Sequence, residues 1–178
     1  TQMTLTAFFV AIGLCQLAYG PVSDMVGRKP PLYVGLALFT LGSIGCALAP
    51  DVAWLVAFRF VQGLGASAMM VIPRAIIRDL HTGVEATRLM SLVMLVFSVS
   101  PILAPLTGSA LIVPFGWRAV FVAVMVAAVL ALLLLATVFP ETRPAAERIK
   151  VSLSGVLAGF GVLFRDWHFL GLTLIGGL

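Results

Sequence analysis

The chain has 178 residues, of which 61% are hydrophobic and only 10% are charged, and its mean hydropathy is +1.15. Because a typical globular chain is about 25% charged, this composition excludes a water-soluble domain, and the high apolar content excludes a disordered chain. The net charge of +4 does not indicate a nucleic-acid-binding protein, since the Lys and Arg residues form no basic face. Cys15 and Cys46 lie in apolar runs, without disulfide or metal-ligand spacing. The class that remains is an integral membrane protein.

Five long runs that are almost free of charge predict five membrane-spanning helices. A helix needs about 20 apolar residues to cross the hydrocarbon core, and the runs lack the polar and apolar alternation of barrel strands. Their approximate bounds are 4–22, 31–49, 53–73, 89–113 and 117–139. The sequence therefore predicts an all-α integral membrane protein in which residues 1–139 supply five transmembrane helices.

The distribution of Lys and Arg predicts the orientation of these spans. Nine of the eleven cations belong to the segments 23–30, 74–88 and 140–166, whereas Arg118 lies in the opposite set of turns. Short loops rich in Lys and Arg stay in the cytoplasm. We therefore expect these three segments to be cytoplasmic and the turns after the second and fourth spans to face outward.

The remaining residues predict a linker and an incomplete span. Residues 140–166 read as a cytoplasmic linker, and within it 151–164 has apolar residues at helical spacing on one face. This stretch is too short to cross a bilayer, which favours an interfacial helix. Residues 167–178 are also apolar and too short, so we interpret them as the truncated start of a further transmembrane helix.

The first predicted cytoplasmic loop combines one acid, two cations and two glycines. Residues 20–29 read Gly-Pro-Val-Ser-Asp-Met-Val-Gly-Arg-Lys. Pro21 is expected to end the first helix, and Gly27 to permit a tight reversal. Orienting charges alone would explain the two cations but not Asp24 with both glycines. We expect Asp24 to form an exposed pair with one of the cations, which would contribute little stability.

The third predicted span contains a single cation, Arg59. An arginine at membrane depth costs several kcal/mol unless it is paired or hydrated, so Arg59 is a functional candidate. Snorkelling to the outer interface is the alternative. Gln62 lies three residues later on the same helix face, and Gly63 allows a neighbouring helix to approach closely.

The fourth predicted span contains Pro101 and Pro105, followed by Gly108. Two prolines four residues apart kink a helix and free carbonyl groups that need partners or water. A bent packing helix is the simpler interpretation of this pattern, and a functional bend is the alternative.

Together these motifs resemble those of the major facilitator superfamily. Its signature between the second and third helices, Gly-x-Leu-x-Asp-Arg-x-Gly-Arg-Lys, is matched at five positions: Gly20, Asp24, Gly27, Arg28 and Lys29. Met25 stands where the signature has its first Arg. The third span resembles the fourth-helix motif linked to proton transfer, and the fourth resembles the fifth-helix antiporter motif, in which Pro105 and Gly108 match outright. The chain looks most like the bicyclomycin-resistance branch of drug/proton antiporters, which includes multidrug and phenicol exporters.

The resemblance implies that the five spans are helices two to six of a twelve-helix transporter, most of its N-terminal bundle. It implies proton-driven export of small, largely apolar drugs or antibiotics by alternating access in the bacterial inner membrane. The implied partners are a drug-like substrate, protons, the lipid bilayer and the remainder of the transporter, with no nucleic acid, cofactor, metal or catalytic residue. A uniporter or symporter of the same superfamily and a non-transporting structural fragment are the alternatives.

Two further observations concern substrate and proton binding. Gln16 and Tyr19 share a face of the first span, where interhelical hydrogen bonding is favoured over lining a drug cavity. All seven acids fall in loops or near span ends. We therefore expect a proton-carrying acid at membrane depth to lie outside this chain.

Overall fold

The computed structural model describes residues 2–139, 141, 142 and 167, and this part of the chain forms five α-helices without strands. They are α1 (Gln2–Val26), α2 (Lys29–Leu48), α3 (Val52–Leu80), α4 (Gly83–Phe115) and α5 (Arg118–Thr137). Each is long and apolar enough to cross a membrane. The prediction of an all-α membrane fold is thus confirmed.

The chain divides into two compact units, residues 1–148 and 149–178, and all five helices belong to the first. Apart from residues 141, 142 and 167, the predicted linker 140–166 with its interfacial helix 151–164 and the final segment 167–178 lie outside the described residues. They stay predictions, as do the limits of the spans within the helices.

Three helices, α1, α3 and α4, extend well beyond the predicted spans. The expectation that Pro21 ends the first helix is wrong, because α1 runs through Pro21 to Val26. Proline removes one backbone donor and kinks a helix, but it need not break one. The helix ends before Gly27, whose φ of 101° is left-handed. Likewise α3 continues to Leu80 and α4 begins at Gly83, so all of the predicted loop 74–88 except residues 81 and 82 is helical.

The central helix of the bundle is α3, which packs closely against α1 and α2. A Cβ at Gly63 would collide with the carbonyl of Phe8 in α1, and one at Gly65 would collide with Gly35 in α2. Glycines at these positions let the helix backbones approach each other. The buried apolar cluster joins α2, α3 and α5 and consists of Leu32, Leu36, Ala68, Ile72 and Leu135.

The connections between helices gather at two ends of the bundle. At one end Arg28 reaches Asp79 and Glu141. At the other end Arg118 donates to the carbonyls of Ala47 and Ala49, both at 3.0 Å. The first end unites the segments that are rich in cations, and we refer to it as the predicted cytoplasmic end. The opposite end is the predicted outer end.

Candidate functional site

Arg28 is the centre of a charged group at the predicted cytoplasmic end, and we refer to Ser23, Asp24, Arg28 and Asp79 as the cytoplasmic cluster. The Arg28 guanidinium pairs with Asp24 at 2.8 Å and donates to both carboxylate oxygens of Asp79, at 2.6 and 3.2 Å. It also donates to the Ser23 hydroxyl at 2.7 Å. Arg28 is only 4% exposed. Protein groups rather than bulk water therefore compensate its charge.

The local sequence explains how Arg28 reaches this position. Gly27 takes the left-handed conformation that side chains disfavour, so the chain reverses directly before Arg28. Prolines then occupy the first turn of α2, where their missing N–H groups need no intrahelical partner. The Ser23 hydroxyl donates to the carbonyl of Gly20 at 2.9 Å, which ties the last turns of α1 into the cluster. Asp79 lies in the part of α3 that extends beyond the predicted span.

The neighbouring acids together affect the pKa of Arg28 more strongly than its burial does. Burial acts to lower the pKa of Arg28, but the hydrogen bonds and charge of Asp79, followed by the charge of Asp24, raise that pKa above its ordinary value. Opposite charges within hydrogen-bond distance favour the ionised form. The expectation of an exposed pair is wrong for the cation: Asp24, whose own side chain is 35% exposed, shares a buried arginine with an acid from another helix.

Lys29, the neighbour of Arg28, makes a different set of contacts. Its ammonium donates to the carbonyl of Phe139 at 2.7 Å, directly after α5. The Glu141 carboxylate accepts the backbone N–H groups of Arg28 at 2.9 Å and Lys29 at 3.1 Å. Sequence reasoning missed Glu141, as it missed Ser23 and Asp79, because these contacts depend on which helices pack together. The only available signal was that Asp79 and Glu141 follow apolar runs on the cation-rich side.

Arg59 lies about 10 Å along α3 from its first residue, at 1.5 Å per residue. Its guanidinium donates to the side-chain carbonyl of Gln62 at 3.1 Å. It also lies 4.9 Å from the ring centre of Phe121 and 5.4 Å from that of Phe8, distances typical of cation–π contacts. Its Nε is buried and has no hydrogen-bond acceptor among the described residues. These contacts with α1, α3 and α5 favour a paired arginine over a snorkelling one.

Gln62 extends this polar contact into the core. The side chain is 2% exposed, and its amide donates to the Ser43 hydroxyl at 2.7 Å. Ser43 in turn donates to the carbonyl of Phe39 at 2.8 Å. Burying these polar groups requires that each be hydrogen-bonded. The result is a continuous polar chain from Arg59 to the backbone of α2, beside the close contact at Gly63.

The predicted antiporter motif lies on a helix that stays continuous. Pro101 and Pro105 are both inside α4, and none of the residues of α4, all of which are described, is buried. A Cβ at Gly108 would meet no atom within 4 Å. Gly108 lines an open apolar cavity of about 330 Å³ between α4 and α5.

The two weaker candidates make contacts between helices. Gln16 in α1 donates to the sulfur of Met70 in α3 at 3.5 Å. Tyr19 packs against the buried apolar cluster. Both contacts fit the interhelical interpretation.

The structure does not unite the three predicted motifs into one site. Asp79 of the cytoplasmic cluster and Arg59 are 20 residues apart on α3, about 30 Å along its axis. The prolines of α4 are separate from both. The arrangement comprises a charged contact at one end of the bundle, a partly buried cation nearer the other end, and an exposed proline-containing helix.

These features define a multi-pass membrane protein with an arginine inside one of its apolar helices and a charged cluster at one end of its bundle. All of the chain, residues 1–178, matches the family model described as Major Facilitator Superfamily. The chain belongs to the major facilitator superfamily.

Named relatives agree with this assignment. The chain is 43% identical over 178 residues to the uncharacterized MFS-type transporter YdgK of Bacillus subtilis (strain 168), covering 99% of the chain and 44% of that protein. It is 32% identical over 170 residues to the bicyclomycin resistance protein homolog of Haemophilus influenzae, covering 96% and 43%. It is 33% identical over 179 residues to multidrug resistance protein D of Escherichia coli (strain K12), covering 99% and 44%. The chain therefore spans less than half the length of these relatives, and the predicted resemblance to this branch is confirmed.

A solved structure supports the fold. The human organic anion transporter MFSD10 (TETRAN) superposes with a TM-score of 0.74 at 24% identity, covering 86% of this chain and 36% of that one. The likeness concerns the arrangement of helices alone.

Proposed function

We propose that the protein acts as a secondary transporter that exports small, largely apolar drugs or antibiotics in exchange for protons, by alternating access, in the bacterial inner membrane. The names of two relatives, a multidrug resistance protein and a bicyclomycin resistance protein homolog, support a drug-like substrate. The observation that carries proton exchange is Arg59, a cation in a membrane-crossing helix with a buried and unsatisfied Nε among the described residues.

Arg59 suits a proton-coupled exchange because a partly buried cation controls the ionisation of any acid that approaches it. An arginine within about 4–6 Å lowers the pKa of a carboxyl group, and loss of that contact raises it again. The predicted spans contain no acid. In this proposal, a carboxylate from another part of the transporter pairs with Arg59 in one state and takes up a proton when substrate displaces it.

The cytoplasmic cluster supports the alternating-access part of the proposal. It joins the α1–α2 connection to the inner end of α3 through charged hydrogen bonds, which are stronger than neutral ones. An equilibrium between inward- and outward-open states shifts only when a contact differs between them. A cluster at one end of the bundle can supply such a contact.

The test measures proton movement and drug transport together. The full-length protein is reconstituted into liposomes that contain a pH-sensitive dye, and bicyclomycin or chloramphenicol is added across an imposed pH gradient. Arg59→Ala is expected to lower drug-dependent proton movement by about tenfold or more, the effect of losing roughly 1.4 kcal/mol of coupling. Arg88→Ala, an exposed arginine of α4, is the matched control and should behave as wild type.

Two results would contradict the proposal. Unchanged proton movement in Arg59→Ala would remove the arginine from the exchange. Drug transport by the wild type without proton movement would favour the uniporter alternative.

A further inference from the structure

At the predicted cytoplasmic end, a residue that follows α5 caps the start of α2, and a residue of α2 binds the same segment after α5. The first N–H groups of a helix and its last carbonyls have no partner within the helix. Glu141, four residues after α5 ends, accepts the N–H groups of Arg28 and Lys29, where α2 begins. Lys29 reciprocates by donating to Phe139. Each charge has the favourable sign, since an anion stabilises a helix N-terminus and a cation a C-terminus.

One of these caps acts on the residue at the centre of the cytoplasmic cluster. The backbone N–H of Arg28 donates to Glu141 and its guanidinium donates to Asp79, so both the backbone and the side chain of this residue are fixed. It follows Gly27, whose backbone has more accessible conformations than that of any other residue type. The direction of the Arg28 side chain therefore depends on a contact that fixes its backbone after the reversal.

A second link between the same helices serves as an internal comparison. At the predicted outer end, Arg118 of α5 donates to Ala47 and Ala49 at the end of α2, both at 3.0 Å. This link also joins α5 to α2, but it lies at the far end of α2 from Arg28. A residue that merely fastens the two helices would behave like Arg118.

We propose that Glu141 is a positioning residue: it holds the backbone of Arg28 so that the guanidinium stays paired with Asp24 and Asp79. Its effect on transport is exerted through Arg28 and rests on the proposed function. Its effect on the position of Arg28 does not depend on that function.

The first experiment measures the exposure of Arg28 directly. The full-length protein in detergent is treated with phenylglyoxal, which modifies accessible arginines, and the rate at Arg28 is followed by peptide mass spectrometry. Glutamine in Glu141→Gln keeps the size but turns one acceptor into a donor that faces an N–H. We expect Arg28 to react about tenfold faster in this variant, in line with the loss of a hydrogen bond to a charged group.

Two matched variants separate positioning from general stabilisation. Arg118→Gln removes the outer link, and Glu85→Gln removes a carboxylate that is 70% exposed and belongs to α4. Both should leave the reaction rate of Arg28 at the wild-type value. Two results would overturn the proposal. One is an Arg28 modification rate in Glu141→Gln that equals the wild-type rate. The other is an increase of that rate in Arg118→Gln as large as the increase in Glu141→Gln.

The second experiment is a double-mutant cycle in reconstituted liposomes. If Glu141 acts through the Arg28 guanidinium, the turnover of Glu141→Gln combined with Arg28→Gln should fall no further than that of Arg28→Gln alone. Arg118→Gln combined with Arg28→Gln should instead give multiplied losses. Multiplied losses with Glu141→Gln would contradict the inference. A wild type that moves drug without protons would overturn the proposed function, while the phenylglyoxal rates would still decide the role of Glu141.

Discussion

At the residue scale, the two adjacent cations of the first loop have separate structural roles. Arg28 binds acids of α1 and α3, whereas Lys29 binds the end of α5. The sequence identified both as orienting charges and as members of one motif. It could indicate the pair of Asp24 and Arg28, which are four residues apart, but not Asp79, which is distant in the chain and comes close only because α3 crosses the bundle beside α1.

The two acids of the cytoplasmic cluster should differ in their contribution to stability. Asp79 accepts two hydrogen bonds from the buried Arg28, and its side chain is 24% exposed. The Asp24 side chain is 35% exposed. We expect Asp79→Asn to lower the free energy of unfolding by about 1–3 kcal/mol, and Asp24→Asn by about 1 kcal/mol or less. Thermal unfolding of both purified variants in the same detergent measures the difference. Equal losses would show that Arg28 depends on the two acids alike.

Gln62 should contribute more than its single polar side chain suggests. Inside the bundle, its side-chain carbonyl accepts a hydrogen bond from Arg59 and its amide group donates one to Ser43. Gln62→Leu would leave two buried polar groups without this partner, at about 1–3 kcal/mol for each buried group. We therefore expect Gln62→Leu to lower the thermal unfolding temperature. The decrease should be smaller when Gln62→Leu is added to Ser43→Ala than when it is added to the wild type. An undiminished loss in the double variant would contradict the continuous polar chain.

At the element scale, α3 organises the bundle because its small residues let two helices approach it. The apolar runs and the glycines were visible in the sequence, so the existence of the helix and its close packing could be predicted. Its inner end could not, since charged residues end a membrane span without ending a helix. The stretch from Arg74 to Leu80 is helical although it lies beyond the predicted span. The helix α1 passes Pro21 for a different reason, because a proline removes one backbone donor without necessarily breaking a helix.

A methyl group on α3 at Gly65 should be poorly tolerated. It would meet the backbone of Gly35 and Phe39, which cannot move as a flexible side chain would. Gly65→Ala is expected to destabilise the protein by about 1–3 kcal/mol, the usual cost of overpacking. Gly13→Ala in α1 is the control, because nothing lies within 4 Å of its added Cβ and alanine favours a helix. A lower thermal unfolding temperature for Gly65→Ala alone is the expected result, and similar values for both variants would argue against the close contact.

At the scale of the whole molecule, side-chain contacts join the segments that the charge pattern assigns to the same side. Arg28 links the connection after α1 to the end of α3 and the end of α5. Arg118, the one cation of the opposite turns, binds two carbonyls at the end of α2. The sequence predicted the helices and their alternation because hydropathy and charge are local properties. The links between ends depend on packing, which hydropathy does not encode.

The predicted orientation can be tested with single cysteines at exposed positions. In a variant with Cys15 and Cys46 replaced by alanine, Phe115→Cys lies at the predicted outer end and Val84→Cys at the predicted cytoplasmic end. The native side chains are 74% and 87% exposed. A membrane-impermeant maleimide added to intact cells should label the cysteine at 115, and should label that at 84 only after permeabilisation. The reverse pattern would invert the topology.

The prolines of α4 also restrict which face of this helix can contact the lipid of a bilayer. Because Pro101 and Pro105 have no N–H, the carbonyls of Phe97 and Pro101 lose their usual donors four residues later. These two oxygens are about 40° apart around the helix axis, so they form a narrow polar strip in the middle of α4, whereas the carbonyl freed by Pro114 lies within the last two turns. Acyl chains offer such a strip no hydrogen bond, at a cost of several kcal/mol per unsatisfied group. Lipid should therefore solvate the other faces of the middle part of α4, and the strip should point toward water or protein.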